Sequence, residues 1–140
     1  MHLHIDIERW PLKVPFRITG HTFTESEVIV ATVTENGVSG RGEAAGVYYR
    51  GENPQTMARQ LAAVRPLLET GVTREALRSL LPPGGARNAL DCALWDLEAR
   101  RAGVPAWRLA GLEASRPLAT THTIGADPPQ VAARAAASYK

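Results

Sequence analysis

The chain has 140 residues, 44% hydrophobic and 21% charged, with a formal net charge of +2; this fits a globular domain with a sizeable core and excludes intrinsic disorder. The pI is near 9.0, but no basic run is longer than Arg100 and Arg101, so no nucleic-acid partner is expected. No apolar stretch approaches the ~20 residues of a membrane span, one cysteine allows no internal disulfide, and the N-terminus has no apolar signal core, so we expect a cytoplasmic protein without a membrane partner.

His2 to Arg9 alternates Leu3, Ile5 and Ile7 with His4, Asp6 and Glu8, the pattern of a half-buried strand. His2 and His4 share one face of it and are expected to be solvated rather than to hold a metal. Trp10 and Pro11 end the strand. Leu12 to Glu27 is rich in Thr, Pro and Gly without sustained periodicity, which predicts a long loop, and long loops in compact domains tend to be functional. Val28 to Thr34 is β-branched, Asn36-Gly37 is a hairpin pair and Val38 to Ala44 returns, so we expect a three-stranded antiparallel sheet.

Gly46 to Glu52 is a second loop carrying Tyr48 and Tyr49. Adjacent strand-exit residues point opposite ways, so at most one of the two, Tyr48 in our assignment, faces a site. Asn53 caps a helix with Pro54 in its first position, and Met57, Leu61, Val64 and Leu68 form its stripe up to Gly71. A shorter helix from Thr73 carries Ala76, Leu77, Leu80 and Leu81 before Pro82 and Pro83.

The segment Gly84 to Gly111 organises the rest. Ala86, Ala89, Leu90, Ala93, Leu94 and Leu97 form a helical stripe, with Arg87, Asp91, Asp96 and Arg100 outside it. Gly103 and Pro105 stop the helix, and a short second helix follows. Alanine lines the stripe, so a neighbouring backbone can approach closely, as against a second domain. Helical spacing predicts ion pairs Asp96 with Arg100 and Asp91 with Arg87 rather than metal binding. Glu43, at a strand end after two glycines, is a secondary candidate for orienting a loop. Leu118 to Ile124 is predicted as a short strand with Thr121 and Thr123 on one face, and Asp127-Pro128-Pro129-Gln130 as a capping box opening an alanine-rich helix. A lone strand of this kind cannot complete a sheet. The fold class is α+β, a three-stranded antiparallel sheet followed by a helical bundle over residues 1–117, then one β/α unit over 118–140.

The run ARNALDCALWDLEARRAGVPAWRLAG, from Ala86 to Gly111, resembles the first signature of the mandelate racemase/muconate lactonizing branch of the enolase superfamily. Its alanine-rich helix with Asp91 and Asp96 five apart, then Ala99 and Arg100, then Pro105, Leu109 and Gly111, carries the likeness. Pro15 to Val30 resembles the family's mobile specificity loop, Gly37 to Ala44 its glycine-rich strand ending in Gly-Glu, and Thr121 to Gln130 the first barrel strand and helix start of its dipeptide epimerases. The resemblance implies a capping domain followed by the first unit of a β/α barrel, a fold of roughly 250 residues.

The implied chemistry is abstraction of the proton next to a carboxylate, with Mg2+ stabilising the enediolate and lysines moving the proton. The metal ligands and the Lys-x-Lys motif are expected beyond Lys140, which is not itself that motif, so this span holds no catalytic or metal residue and is expected to be inactive alone. The substrate-binding residues implied are Arg17, Thr19 and His21 in the first loop, with Arg17 or His21 meeting a distal carboxylate, Tyr48 in the second, and Thr123 at a barrel strand end. The implied partners are a small carboxylate or dipeptide such as alanyl-glutamate, the barrel segment, and a second copy in a homo-oligomer. Muconate cycloisomerase or succinylbenzoate synthase activity is the near alternative. A stand-alone α+β interaction module is the alternative from another class.

Overall fold

A computed structural model describes residues 1–138; the expectation about Lys140 lies outside the described residues. The elements are β1 (His2–Ile18), β2 (His21–Glu35), β3 (Val38–Ala44), α1 (Pro54–Glu69), α2 (Arg74–Leu80), α3 (Gly85–Ala102), α4 (Ala106–Leu109) and α5 (Pro129–Ala137). The three strands form one sheet in the order β1-β2-β3. The chain divides into two compact units, one of Met1–Arg9 with Glu27–Ser115, the other of Trp10–Ser26 with Arg116–Lys140.

The first unit contains the core. Leu3, Ile29, Ala31 and Val33 from the sheet meet Met57, Leu61 and Leu68 of α1, Leu77 of α2, and Ala86, Ala89, Leu90, Ala93, Leu94 and Leu97 of α3. Burying a Leu or Ile side chain contributes roughly 1.5–3 kcal/mol, so this cluster supplies the driving force for folding. The antiparallel register places Ile29 opposite Ala44, Ala31 opposite Gly42 and Val33 opposite Gly40. On this face β3 carries Gly40, Gly42 and Ala44 after Val38, and α3 packs directly on the strand. A Cβ at Gly42 would lie 2.2 Å from the Ala89 carbonyl oxygen, and one at Gly40 equally close to that of Ala93. The alanine stripe is thus explained by the protein's own sheet, not by a second domain.

The helix limits follow local chemistry. Asn53 Oδ1 accepts from the Thr56 N–H at 2.8 Å and Thr56 Oγ1 accepts from the Asn53 N–H at 3.0 Å, a reciprocal cap. Gly103 at φ +65° closes α3, its N–H donating to Ala99 and Arg100 carbonyls. Asp96 pairs with Arg100 at 2.9 Å as the spacing predicted, and the same carboxylate accepts from the backbone N–H of Arg41 on β3 at 2.9 Å. Among the described residues the Asp91–Arg87 pair does not form.

Four further expectations are corrected. Leu12 to Glu27 is not a loop: β1 and β2 continue through it and turn only at Thr19-Gly20, with Gly20 at φ +78°. Phe16 and Phe23 stack with ring centroids 6.3 Å apart, and such cross-strand aromatic contact stabilises a hairpin that composition alone reads as irregular. Leu118 to Ile124 is not a strand; the segment is without regular structure and exposed, Leu118 at 87%. A strand there finds no neighbour among the described residues to share its hydrogen bonds. The alanine-rich helix does form, but Pro128 is its N-cap and no side chain caps it, so the expected capping box is absent. Tyr48 and Tyr49 do not diverge at a strand exit: with Arg50 they form a 3-10 turn, both exposed, their rings edge to face at 5.3 Å.

Candidate functional site

The second unit is built on the tip of the β1–β2 hairpin, where Arg17, Thr19 and His21 lie within five residues. The tip has two chemically different faces. His21 packs edge-on against Phe23 at 4.3 Å, and Phe23 stacks on Phe16, so these three rings share a face. Arg17 follows Phe16 directly, and strand alternation sends it to the opposite face. Arg17 and His21 were expected as interchangeable partners for one carboxylate; the hairpin places them on different faces. Thr19 sits at the turn, exposed.

The Arg17 side chain is half exposed, and its Nη1 lies 3.5 Å from Asp127 Oδ1. The Ala126 N–H donates to the Arg17 carbonyl at 2.8 Å. This brings the segment carrying Thr123 to the hairpin tip, with Thr123 itself exposed three residues before Ala126. The unit therefore presents a guanidinium fork with one nearby carboxylate and unused donors, suited to a further carboxylate. Asp127 and Gly125 were missed by the sequence reading. Asp127 was assigned to a helix cap, and nothing in the spacing between residues 17 and 127 signals that they meet.

The first unit carries Tyr48, exposed on the 3-10 turn. It also has a cleft of about 370 Å³ between α2 and the start of α3, lined by Arg74, Arg78, Arg87, Asn88 and Asp91. None of the expected site residues lines it. Arg74 is committed to structure there: its guanidinium lies 3.5 Å over the Trp95 ring and bonds Glu98 at 2.9 Å, a partner that raises its pKa further. Cys92 is exposed, and partial desolvation, with help from the Asp91 charge, pushes its thiol up from the ordinary range. Glu43 is an exposed strand residue whose backbone carbonyl accepts from Asn88 Nδ2 at 3.4 Å. His4 pairs with Asp6 at 2.9 Å. Among the described residues no three His, Cys, Asp or Glu side chains come together as metal donors.

The chain is 40% identical over 131 residues to the L-Ala-D/L-Glu epimerase of Escherichia coli strain K12, covering 94% of this chain and 41% of that protein. An enolase family member from Agrobacterium tumefaciens with homology to dipeptide epimerases, solved with bound sodium and L-Ala-L-Glu and an ordered loop, superposes with a TM-score of 0.90 at 33% identity, over 98% of this chain and 42% of that one. A dipeptide epimerase from Methylococcus capsulatus, complexed with Mg and L-Arg-D-Lys, superposes at 0.79 with 27% identity, over 98% of this chain and 41% of that one. The chain thus spans about two fifths of the length of these relatives. Residues 1–111 match the mandelate racemase / muconate lactonizing enzyme N-terminal domain, and the chain belongs to that family.

Proposed function

We propose that this chain is the N-terminal part of an isomerase of the dipeptide-epimerase type, which removes and returns the proton at the carbon next to a carboxylate, on a dipeptide with an acidic second residue. The observation that carries the reading is Arg17, half exposed on a hairpin tip in a chain 40% identical to an L-Ala-D/L-Glu epimerase. Its role is to bind the distal carboxylate of the substrate, so that binding energy remote from the reacting carbon fixes the substrate's orientation. Thr19 and Thr123 are proposed to line the same side of the substrate, and His21 to support the tip through Phe23. Tyr48, on the other unit, is proposed separately as a substrate-facing residue. Mg2+ belongs to this reading as the group that stabilises charge on the deprotonated substrate; its ligands are proposed to lie outside the described residues.

The test uses the protein that carries this chain, incubated in D2O with L-Ala-L-Glu and followed by proton NMR. Loss of the glutamyl α-proton signal supports the reading; no exchange with this or other dipeptides, alongside turnover of a muconate or succinylbenzoate precursor, overturns it. Arg17→Ala is expected to raise KM for L-Ala-L-Glu about tenfold, as loss of one charged hydrogen bond implies. Unchanged kinetics would remove the tip from the site.

A further inference from the structure

Asp127 contributes to none of the roles above, yet among the described residues it is the acidic group that pairs with Arg17. Its carboxylate is the less exposed partner, 27% against 51% for the Arg17 side chain. Three contacts converge on the same residue. Asp127 Oδ1 faces Arg17 Nη1 at 3.5 Å, the Ala126 N–H donates to the Arg17 carbonyl at 2.8 Å, and Gly125 approaches so closely that a Cβ there would lie 3.4 Å from both the Arg17 nitrogen and its carbonyl oxygen. The same Cβ would be 2.9 Å from Asp127 Oδ2. The Asp127 N–H donates to the Gly125 carbonyl at 2.8 Å, which tightens the turn and fixes where its carboxylate points.

We propose that Gly125-Ala126-Asp127 is a latch for the hairpin tip, and that Asp127 is a positioning residue that sets the Arg17 guanidinium for an incoming carboxylate. The main-chain bond fixes where Arg17 starts. The carboxylate fixes where the side chain goes. A guanidinium has five N–H donors in a planar fork, more than a single carboxylate takes up, so donors stay available to a ligand. An arginine held this way loses less rotamer freedom on binding than one free in solvent. This inference rests on the reading of Arg17 as a substrate contact, and it concerns specificity for an acidic second residue rather than the proton transfer.

The experiment compares wild type, Asp127→Asn, Arg17→Ala and the double variant of the protein that carries this chain. Two readouts are taken: KM and kcat for L-Ala-L-Glu and L-Ala-L-Ala, and hydrogen exchange of the peptide spanning residues 15–23. Asp127→Asn is expected to speed exchange of that peptide and to raise KM for L-Ala-L-Glu about threefold, in keeping with a half-exposed ion pair. KM for L-Ala-L-Ala should not move, and Asp127→Asn should add nothing to Arg17→Ala. Unchanged exchange in the 15–23 peptide overturns the latch whatever the kinetics. A KM rise that persists in the Arg17→Ala background overturns the positioning role. If exchange rises in Asp127→Asn while Arg17→Ala leaves all kinetics unchanged, the latch stands and the substrate role of Arg17 falls.

Discussion

Glu52 does for α3 what no residue of the helix itself does. Gly84 at the N-cap has no side chain, and no acidic residue stands in the first turn, so the opening N–H groups need an acceptor from elsewhere. Glu52 Oε1 accepts from the Gly85 N–H at 3.0 Å, and its other oxygen accepts from the Val47 N–H at 3.1 Å. One carboxylate thereby ties the second loop to the start of the main helix, with the helix dipole favouring its charge. The glycine is part of the arrangement, since a Cβ at Gly84 would lie 2.2 Å from Glu52 Oε1. Glu52→Ala is therefore expected to destabilise the protein by about 2 kcal/mol, the cost of leaving two partly buried donors without a charged acceptor. A shifted guanidinium midpoint at unchanged slope would show it; a loss under ~0.5 kcal/mol would mean water replaces the carboxylate freely. Asn53 was legible as a cap because Pro54 follows it in the first helical position. Glu52 was not, because one of its two partners is 33 residues on, and a single sequence does not reveal such pairs.

At the scale of elements, the contact between β3 and α3 decides the shape of the first unit. Gly40 and Gly42 face a helix whose stripe is alanine at residues 86, 89 and 93, so backbone meets backbone with no side chain between. No rotamer change relieves a clash there, because the atoms in the way are main-chain atoms. Gly42→Ala is expected to cost about 3 kcal/mol, the upper range for overpacking in a close-packed interior, read as a drop in thermal midpoint. A variant within ~0.5 kcal/mol of wild type would show that α3 slides on the sheet. The sequence made this layer legible in halves. Helical periodicity found α3 and strand periodicity found β3, but that the glycines and alanines belong to each other is a tertiary fact. The loop predicted over Leu12 to Glu27 failed for a related reason. Its Thr, Pro and Gly content resembles a loop, and only Phe16 meeting Phe23 across the turn shows a hairpin. The strand predicted over Leu118 to Ile124 failed in the opposite direction: a strand was read from a short segment, but a strand exists only with a neighbour to bond. For the site, the sequence pointed to Arg17 and His21, while the separation of their faces and the pairing of Asp127 with Arg17 required the fold.

For the molecule as a whole, every residue of the hydrophobic cluster lies in one unit. Its members run from Leu3 to Leu97 and include none from Trp10–Ser26 or from beyond Ser115. In the second unit α5 has no buried residue, and the contacts there include the β1–β2 strand pairing, the Phe16–Phe23 stack and the half-exposed Arg17–Asp127 pair, with no residue of the hydrophobic cluster beneath them. Such contacts open at a small fraction of the global unfolding free energy, whereas core helices open only when the whole unit does. The 140-residue chain should therefore show two classes of amide. Those of Ala89 to Leu97 should exchange only through global unfolding and accelerate steeply with added denaturant. Those of Phe16 to Phe23 should exchange at least about a hundredfold faster and respond weakly to denaturant, because local opening exposes little surface. Equal protection of both segments would mean that the two units unfold together. Two classes would mean that the hairpin tip can open and re-form while the core stays intact, the property that the proposed role of Arg17 in ligand capture requires.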